Sequence, residues 1–171
     1  MQLGLTIPLQ RFLKVHQPPY GTLCDLFYCW DLHRIILQSK ETLVAVNANN
    51  RFAIVMCGMD SSAWKDYNAL FMDGLRQGML LEGFTQPEIE EYFKKADDIE
   101  ITKTHGRRSV SGLNQMDNYL WNIPVKVRDD ELFQAVHCHE VNRERCKMAG
   151  YEGDNIPVEG FERDMKRIGI V

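Results

Sequence analysis

The chain has 171 residues, a hydrophobic share of 44% and a formal net charge of −4, so it can fold as one domain without a disulfide or metal staple. The acidic balance disfavours nucleic-acid or membrane binding through overall charge. The five cysteines include no CxxC pair, and the N-terminal segment lacks a secretory signal pattern. No apolar run is long enough to span a bilayer. We therefore expect a cytoplasmic protein without a membrane segment.

The first part of the chain predicts a short helix followed by three strands. The segment "PLQRFLK" (8–14) has apolar residues at helical spacing. The segment "DLFYCWDLHRIIL" (25–37) is rich in aromatic and β-branched residues, which favour strands. "TLVAVNA" (42–48) and "RFAIVMCG" (51–58) are apolar runs of strand length, and the Asn residues between them suit a tight turn. We therefore predict an antiparallel hairpin here.

Helices dominate the rest of the chain. Helical spacing and N-capping residues predict helices from Asp60 to Gly83 and over "TQPEIEEYFKKA" (85–96). "IEITKT" (99–104) alternates as a fourth strand, and a helix then runs to Pro124. "DDELFQAVHCHEVNRERCKMAG" (129–150) resembles one continuous helix, and "VEGFERDMKRIG" (158–169) predicts a last short helix.

This element order indicates the α+β class. Strands pair locally and helices follow in blocks, which predicts an antiparallel sheet of about four to five strands with helices packed mainly on one face. The regular strand–helix alternation of a parallel doubly wound sheet is missing. We expect residues 1–171 to form a single α+β domain in which 129–171 is a C-terminal helical extension.

Four segments, in their order and spacing, are similar to one known family. They are "WDLHRIIL", "TLVAVNANNRFAIVMCGM", "YFKKADD" and "ITKTHGRRSVSGLNQ", and the positions that carry the similarity are Trp30, Val46, Asn47, Arg51, Thr102, Thr104, Arg108, Ser109, Val110 and Asn114. The family is an uncharacterised bacterial domain of unknown function, and the resemblance covers roughly residues 1–125. It implies an α+β fold and a bacterial origin, and it implies no reaction and no catalytic residue.

The segment "TKTHGRRSVSG" (102–112) concentrates cationic side chains where a strand passes into a helix. Lys103, His105, Arg107 and Arg108 surround Gly106, and Ser109 follows. Such a turn presents backbone N–H groups to an anion, and arginine can bind phosphate with two hydrogen bonds. The alternative is a solvated basic turn in which Ser109 only caps the helix, because the segment matches no phosphate-binding fingerprint.

The turn "VNANNRF" (46–52) is the second candidate. Asn47 lies within an apolar strand, where its side chain needs a hydrogen-bonding partner. Asn47 and Arg51 either bind a ligand or the basic turn, or they serve the conformation of the hairpin and an ion pair with an acidic neighbour.

Neither a metal site nor a cofactor is predicted. The residues His137, Cys138, His139 and Cys146 lack the usual zinc spacing, and adjacent helical residues point in different directions. Cys29 and Cys57 lie in apolar strands, where thiols are usually inert.

Two functions remain open at this stage. The first is a non-enzymatic binding or regulatory module that contacts a protein, a nucleic acid or a phosphate-bearing ligand, and the absence of a catalytic motif favours it. The second is an enzyme acting on a phosphorylated or nucleotide substrate, with His105 as general acid/base, Arg107 and Arg108 on the phosphate, and Lys103 assisting. The enzyme requires His105 and Arg108 to line one concave pocket. The sequence also leaves homo-oligomerisation open.

Overall fold

The structure is a computed structural model that describes all residues from Met1 to Val171. The strands are β1 (Gln2–Leu5), β2 (Cys29–Leu37), β3 (Lys40–Asn47), β4 (Ala53–Cys57), β5 (Glu100–Lys103), β6 (Cys146–Lys147) and β7 (Asp154–Asn155). The helices are α1 (Ile7–Leu13), α2 (Ser61–Lys65), α3 (Tyr67–Leu81), α4 (Gln86–Ala96), α5 (Arg107–Asn122), α6 (Ala135–Val141) and α7 (Pro157–Arg167), and a 3₁₀ turn (Leu26–Tyr28) precedes β2. The predicted α+β class is confirmed.

The main sheet has five strands in the order β4-β3-β2-β1-β5. Strands β2, β3 and β4 are antiparallel, as expected, but β1 runs parallel to both of its neighbours, β2 and β5. The sheet is therefore mixed and not purely antiparallel. The cause is the short segment 2–5, which forms the strand β1 and whose four residues are all buried. A parallel pair needs a crossover connection, and α1 lies in the crossover between β1 and β2.

The predicted β3–β4 hairpin is confirmed, and its turn is built on Asn47. The Asn47 Oδ1 atom accepts hydrogen bonds from the backbone N–H groups of Asn49 (3.0 Å) and Asn50 (3.2 Å). This side chain thus replaces a backbone acceptor in the turn. Arg51 completes the turn in the left-handed region, with φ at 67°.

Helices cover both faces of the sheet, whereas the sequence predicted them mainly on one face. On the face that carries Trp30, helix α3 packs so closely that a Cβ on Gly78 would lie 2.4 Å from the Ile54 side chain. Helix α4 reaches the same face, where the Tyr92 hydroxyl accepts a hydrogen bond from Trp30 Nε1 (3.1 Å). Helix α5 lies against the opposite face. The side chains of Asp31 and His33, which alternate with Trp30 along β2, point to this face, and His33 contacts Asp117 of α5.

The single helix expected over residues 129–150 does not form. The chain before α6 instead runs beside β4, where the Cys57 N–H donates to the Leu132 carbonyl and the Gln134 N–H donates to the Val55 carbonyl. Backbone that pairs with a strand cannot be helical at the same time, so α6 begins only at Ala135. After α6, strand β6 pairs with β7. The helix expected near the C-terminus is present as α7, and it buries Phe161 completely in the apolar core.

Candidate functional site

The hairpin turn and the basic turn, distant in sequence, meet through Arg51. Its Nη1 atom donates to the carbonyl of Ser109 (3.4 Å), and its Nη2 atom donates to the carbonyl of Arg108. Its Nε atom donates to the carbonyl of Lys147 (3.4 Å). Arg51 therefore joins the β3–β4 turn, the first turn of α5 and strand β6.

Close packing holds Arg51 in this position. A Cβ on Gly112 would lie 2.4 Å from the Arg51 Cζ atom, so the guanidinium rests directly against the backbone of α5. The turn that carries Arg51 is held by α7, because Asp164 Oδ2 accepts from the side-chain amides of Asn49 (2.7 Å) and Asn50 (2.8 Å). The side chain of Arg51 is therefore placed by a rigid scaffold.

Arg51 has no carboxylate within ion-pair distance, and the carboxylate that acts on its charge from farther away is that of Asp31. The residue is 3% exposed, its hydrogen bonds all go to backbone carbonyls, and it forms no ion pair with a carboxylate. Burial lowers the pKa of the guanidinium, which means that the site disfavours the charged form that arginine nevertheless keeps. Buried cations are normally paired, so Arg51 is an exception that needs an explanation.

An open cleft of about 830 Å³ lies beside Arg51. Its walls are the first two turns of α5 and the loop that joins β6 to β7. The charged residues in the lining are the cations Arg51, Arg107, Arg108 and Lys147 and the acids Glu152 and Asp154. Arg107 and Arg108 are exposed and form no ion pair. The cleft is therefore cationic, and its volume is that of a small-molecule site.

Ser109 does not cap α5. The N-cap position is Gly106, with φ at 97° and no side-chain cap, and Ser109 lies inside the first turn. The Ser109 hydroxyl is buried and has no hydrogen-bonding partner. The backbone N–H groups that open the helix consequently have no side-chain acceptor from a cap residue. A second hollow of about 460 Å³ lies at this helix start and shares Arg107 and Ser111 with the cleft.

His105 belongs to a separate, closed network. Its Nδ1 atom lies 2.7 Å from Asp31 Oδ1, and its Nε2 atom lies 3.1 Å from Gln2 Oε1. The Gln2 amide is oriented because its Nε2 donates to the Thr22 carbonyl (2.6 Å) and to Glu100 Oε2 (3.0 Å). Both ring nitrogens of His105 thus face side-chain oxygen atoms of the fold. His105 and Asp31 therefore belong to a buried hydrogen-bonded network outside the cleft.

The other predicted site residues have their own contacts. The Lys103 Nζ atom lies 4.3 Å from the centre of the Tyr20 ring and does not reach the cleft. Asn47 is buried and donates to the Phe27 carbonyl (2.8 Å). Of the seven residues proposed from the sequence, the cleft brings together Arg51, Arg107 and Arg108, while Lys103, His105, Ser109 and Asn47 lie elsewhere.

Comparison with known proteins identifies the family. A family model described as "Domain of unknown function (DUF6933)" matches residues 2–159. The chain belongs to this family. The search of curated proteins found no match, and the search of solved structures found none either. The DUF6933 match confirms the resemblance to a domain of unknown function, and it extends past residue 125 through the β6–β7 loop that forms the far wall of the cleft.

Two further properties of this DUF6933 chain bear on its chemistry. No three His, Cys, Asp or Glu side chains are grouped so that they could hold a metal ion. None of the helices has both the length and the apolar character that crossing a bilayer requires.

Proposed function

We propose that this DUF6933 chain is a non-enzymatic binding or regulatory module that recognises a small phosphate-bearing ligand in the cleft beside Arg51. The observation that carries the proposal is the buried, unpaired charge of Arg51 at the wall of that cleft. An anion in the cleft supplies the direct ion-pair partner that Arg51 lacks within the protein.

The composition of the cleft favours phosphate among the possible anions. Arg107 and Arg108 are exposed, and guanidinium groups match the geometry of phosphate oxygens with paired hydrogen bonds. The helix start at Gly106 adds backbone N–H groups and the positive end of a helix dipole. The acidic net charge of the chain argues for a small ligand over a long nucleic acid.

The contacts of His105 support binding over catalysis. The enzymatic alternative needs a group in the cleft that can exchange protons with a substrate. The His105 side chain is 9% exposed, both of its ring nitrogens are engaged, and it is not part of the cleft lining. No cysteine lines the cleft either. Its four cations, Arg51, Arg107, Arg108 and Lys147, are instead suited to holding an anion.

A thermal-shift titration with inorganic phosphate, pyrophosphate and a nucleoside triphosphate tests the proposal. A ligand that binds only the folded state raises the melting temperature, and the stabilisation grows with the logarithm of one plus the ratio of its concentration to Kd. We expect Arg108→Ala to weaken the binding roughly tenfold, because one charge-assisted hydrogen-bonding group is lost.

The matched control is Arg11→Ala, which removes an exposed, unpaired arginine that does not line the cleft. Its affinity should equal that of the wild type at the same ionic strength. Equal stabilisation of all three proteins would contradict the proposal, as would no stabilisation of the wild type at millimolar ligand.

A further inference from the structure

Two cysteine side chains lie in contact at the beginning of β2. The Sγ atoms of Cys24 and Cys29 are 3.3 Å apart, because the 3₁₀ turn Leu26–Tyr28 folds the chain back between them. Cys24 is exposed, whereas Cys29 is buried. One thiol is thus open to a reagent from solvent, and the other is in place to react with the product.

We propose that Cys24 and Cys29 are a redox modification site that forms a reversible intramolecular disulfide with a peroxide as oxidant. A disulfide requires the two sulfur atoms to approach to about 2.05 Å, and a small rotation of the exposed Cys24 side chain can supply the difference. The site is independent of the proposed anion cleft, since neither cysteine lines it.

The chemistry proceeds in two balanced steps. The Cys24 thiolate attacks hydrogen peroxide, so an S–O bond forms, the O–O bond breaks, and the leaving hydroxide takes up a proton to become water. The Cys29 sulfur then attacks the sulfenic sulfur of Cys24, so the S–S bond forms and the S–O bond breaks. The proton of the Cys29 thiol leaves with the hydroxide as a second water. Two thiols are oxidised by two electrons, and one peroxide is reduced.

The surroundings assign different roles to the two thiols. Burial, and then the contact with Cys24, raises the pKa of Cys29 well above that of a free thiol. The Cys29 Sγ atom also lies 3.6 Å from the carbonyl oxygen of Asp25 and 3.7 Å from Oε1 of Gln2, so an acceptor is in place for its single proton on either side. Cys29 therefore remains protonated until its partner is oxidised, and Cys24 is the thiol that meets the peroxide.

Formation of the disulfide would restrict the loop that contacts the His105 network. Thr22, two residues before Cys24, binds the Gln2 side chain through its carbonyl, and Gln2 in turn binds His105. A bond from Cys24 to the first residue of β2 would hold this loop against the sheet. The expected consequence is slower opening of the loop in the oxidised protein.

The test uses the full chain treated with hydrogen peroxide, alkylated with iodoacetamide under denaturing conditions, and then digested with trypsin. Cleavage after Lys14 and Arg34 releases residues 15–34, which contain Cys24 and Cys29 and no other cysteine. We expect this peptide to lose two hydrogen atoms and both alkyl labels, and dithiothreitol to restore both. The buried Cys57, Cys138 and Cys146 serve as internal controls and should stay fully alkylated.

The Cys24→Ser variant provides a second test. Because Cys24 is exposed, we expect this substitution to leave the fold intact. In this variant Cys29 should remain reduced and alkylatable at the same peroxide dose. Alkylation of both cysteines in the treated wild type would overturn the proposal. Stepwise oxidation of Cys24 to sulfinic acid, or a disulfide between two chains, would overturn it as well.

Discussion

Two buried charged residues, Asp31 and Arg51, lie near the start of α5, and their surroundings differ. Asp31 is fully buried and has a partner for its charge, since the side chain and the backbone N–H of His105 both contact its carboxylate. Arg51 is almost as deeply buried and contacts only carbonyl oxygens. The first charge is satisfied within the fold, whereas the second faces an open cleft.

The difference separates a structural role from a binding role. A buried charge that the fold already satisfies is not available to a ligand, and the loss of its partner leaves it uncompensated in the interior. A charge without a partner adds little to the stability of the free protein, but it increases the affinity for an anion. The two regions should therefore respond in opposite ways to substitution.

The largest effect is expected from Asp31→Asn. The variant removes a fully buried carboxylate that the backbone N–H and the side chain of His105 both contact, so the free energy of unfolding should fall by about 3 kcal/mol in urea denaturation. Phosphate affinity of the folded fraction should not fall, because Asp31 lies outside the cleft. The control Asp73→Asn alters an exposed carboxylate without an ion pair and should change stability by less than about 0.5 kcal/mol. A loss as small as that of the control would mean that the pair is not structural.

An intermediate effect is expected from Gly112→Ala. Alanine favours a helix by about 1 kcal/mol over glycine, but its Cβ would displace the Arg51 guanidinium, whose Cζ lies 2.4 Å from that position. We expect a net loss of about 1 kcal/mol in unfolding free energy together with a roughly tenfold loss of phosphate affinity. Urea denaturation and the thermal-shift titration measure the two quantities separately. Asn118→Ala, at an exposed position of the same helix, should alter neither, and unchanged affinity in Gly112→Ala would remove Arg51 from the site.

The smallest effect concerns the scaffold behind Arg51. Arg167 bonds Asp25 (2.6 Å) and also contacts Asp164, which holds the hairpin turn. The hydrogen bond from Arg167 lowers the pKa of Asp25, so its contribution to stability is present above the unfolded Asp value of about 3.9 and is lost as pH falls through the lower folded value.

Solvent screens this pair, because the Asp25 side chain is 34% exposed, so we expect less than about 1 kcal/mol. Asp25→Asn should be slightly less stable than the wild type at pH 6, and the difference between the two proteins should be smaller at pH 3. A difference that is the same at both values of pH would assign the effect to packing and not to the charge.

Local patterns predicted the parts of the fold that depend on neighbouring residues. The β3–β4 hairpin follows from two apolar runs and an Asn-rich turn, all within residues 42–58. Strand β1 was missed as a strand because a segment of only four residues has no diagnostic period, and its conformation depends on β2 and β5 on either side. The long helix over 129–150 was predicted wrongly because pairing with β4 overrides helix propensity at Leu132 and Gln134.

The same limit applies to the candidate site. Arg51, Arg107 and Arg108 are visible in the sequence as cations beside turns, and their juxtaposition was proposed. The far wall of the cleft, from Lys147 to Asp154, depends on the pairing of two very short strands. The partner of His105 is a carboxylate in an apolar strand, and the only sequence signal was the polar Asp31 between Trp30 and Leu32.

The position of β1 in the sheet imposes an order of assembly. Gln2 pairs with Cys29 on one side and with Glu100 on the other. During synthesis the first edge of β1 can be covered once β2 has emerged, but the second stays open until the ribosome has produced the chain through Lys103. Such distant pairings fold slowly and leave an exposed strand edge in the meantime. We therefore expect the docking of β5 to be a late step of folding, and the nascent chain to be most prone to aggregation just before it.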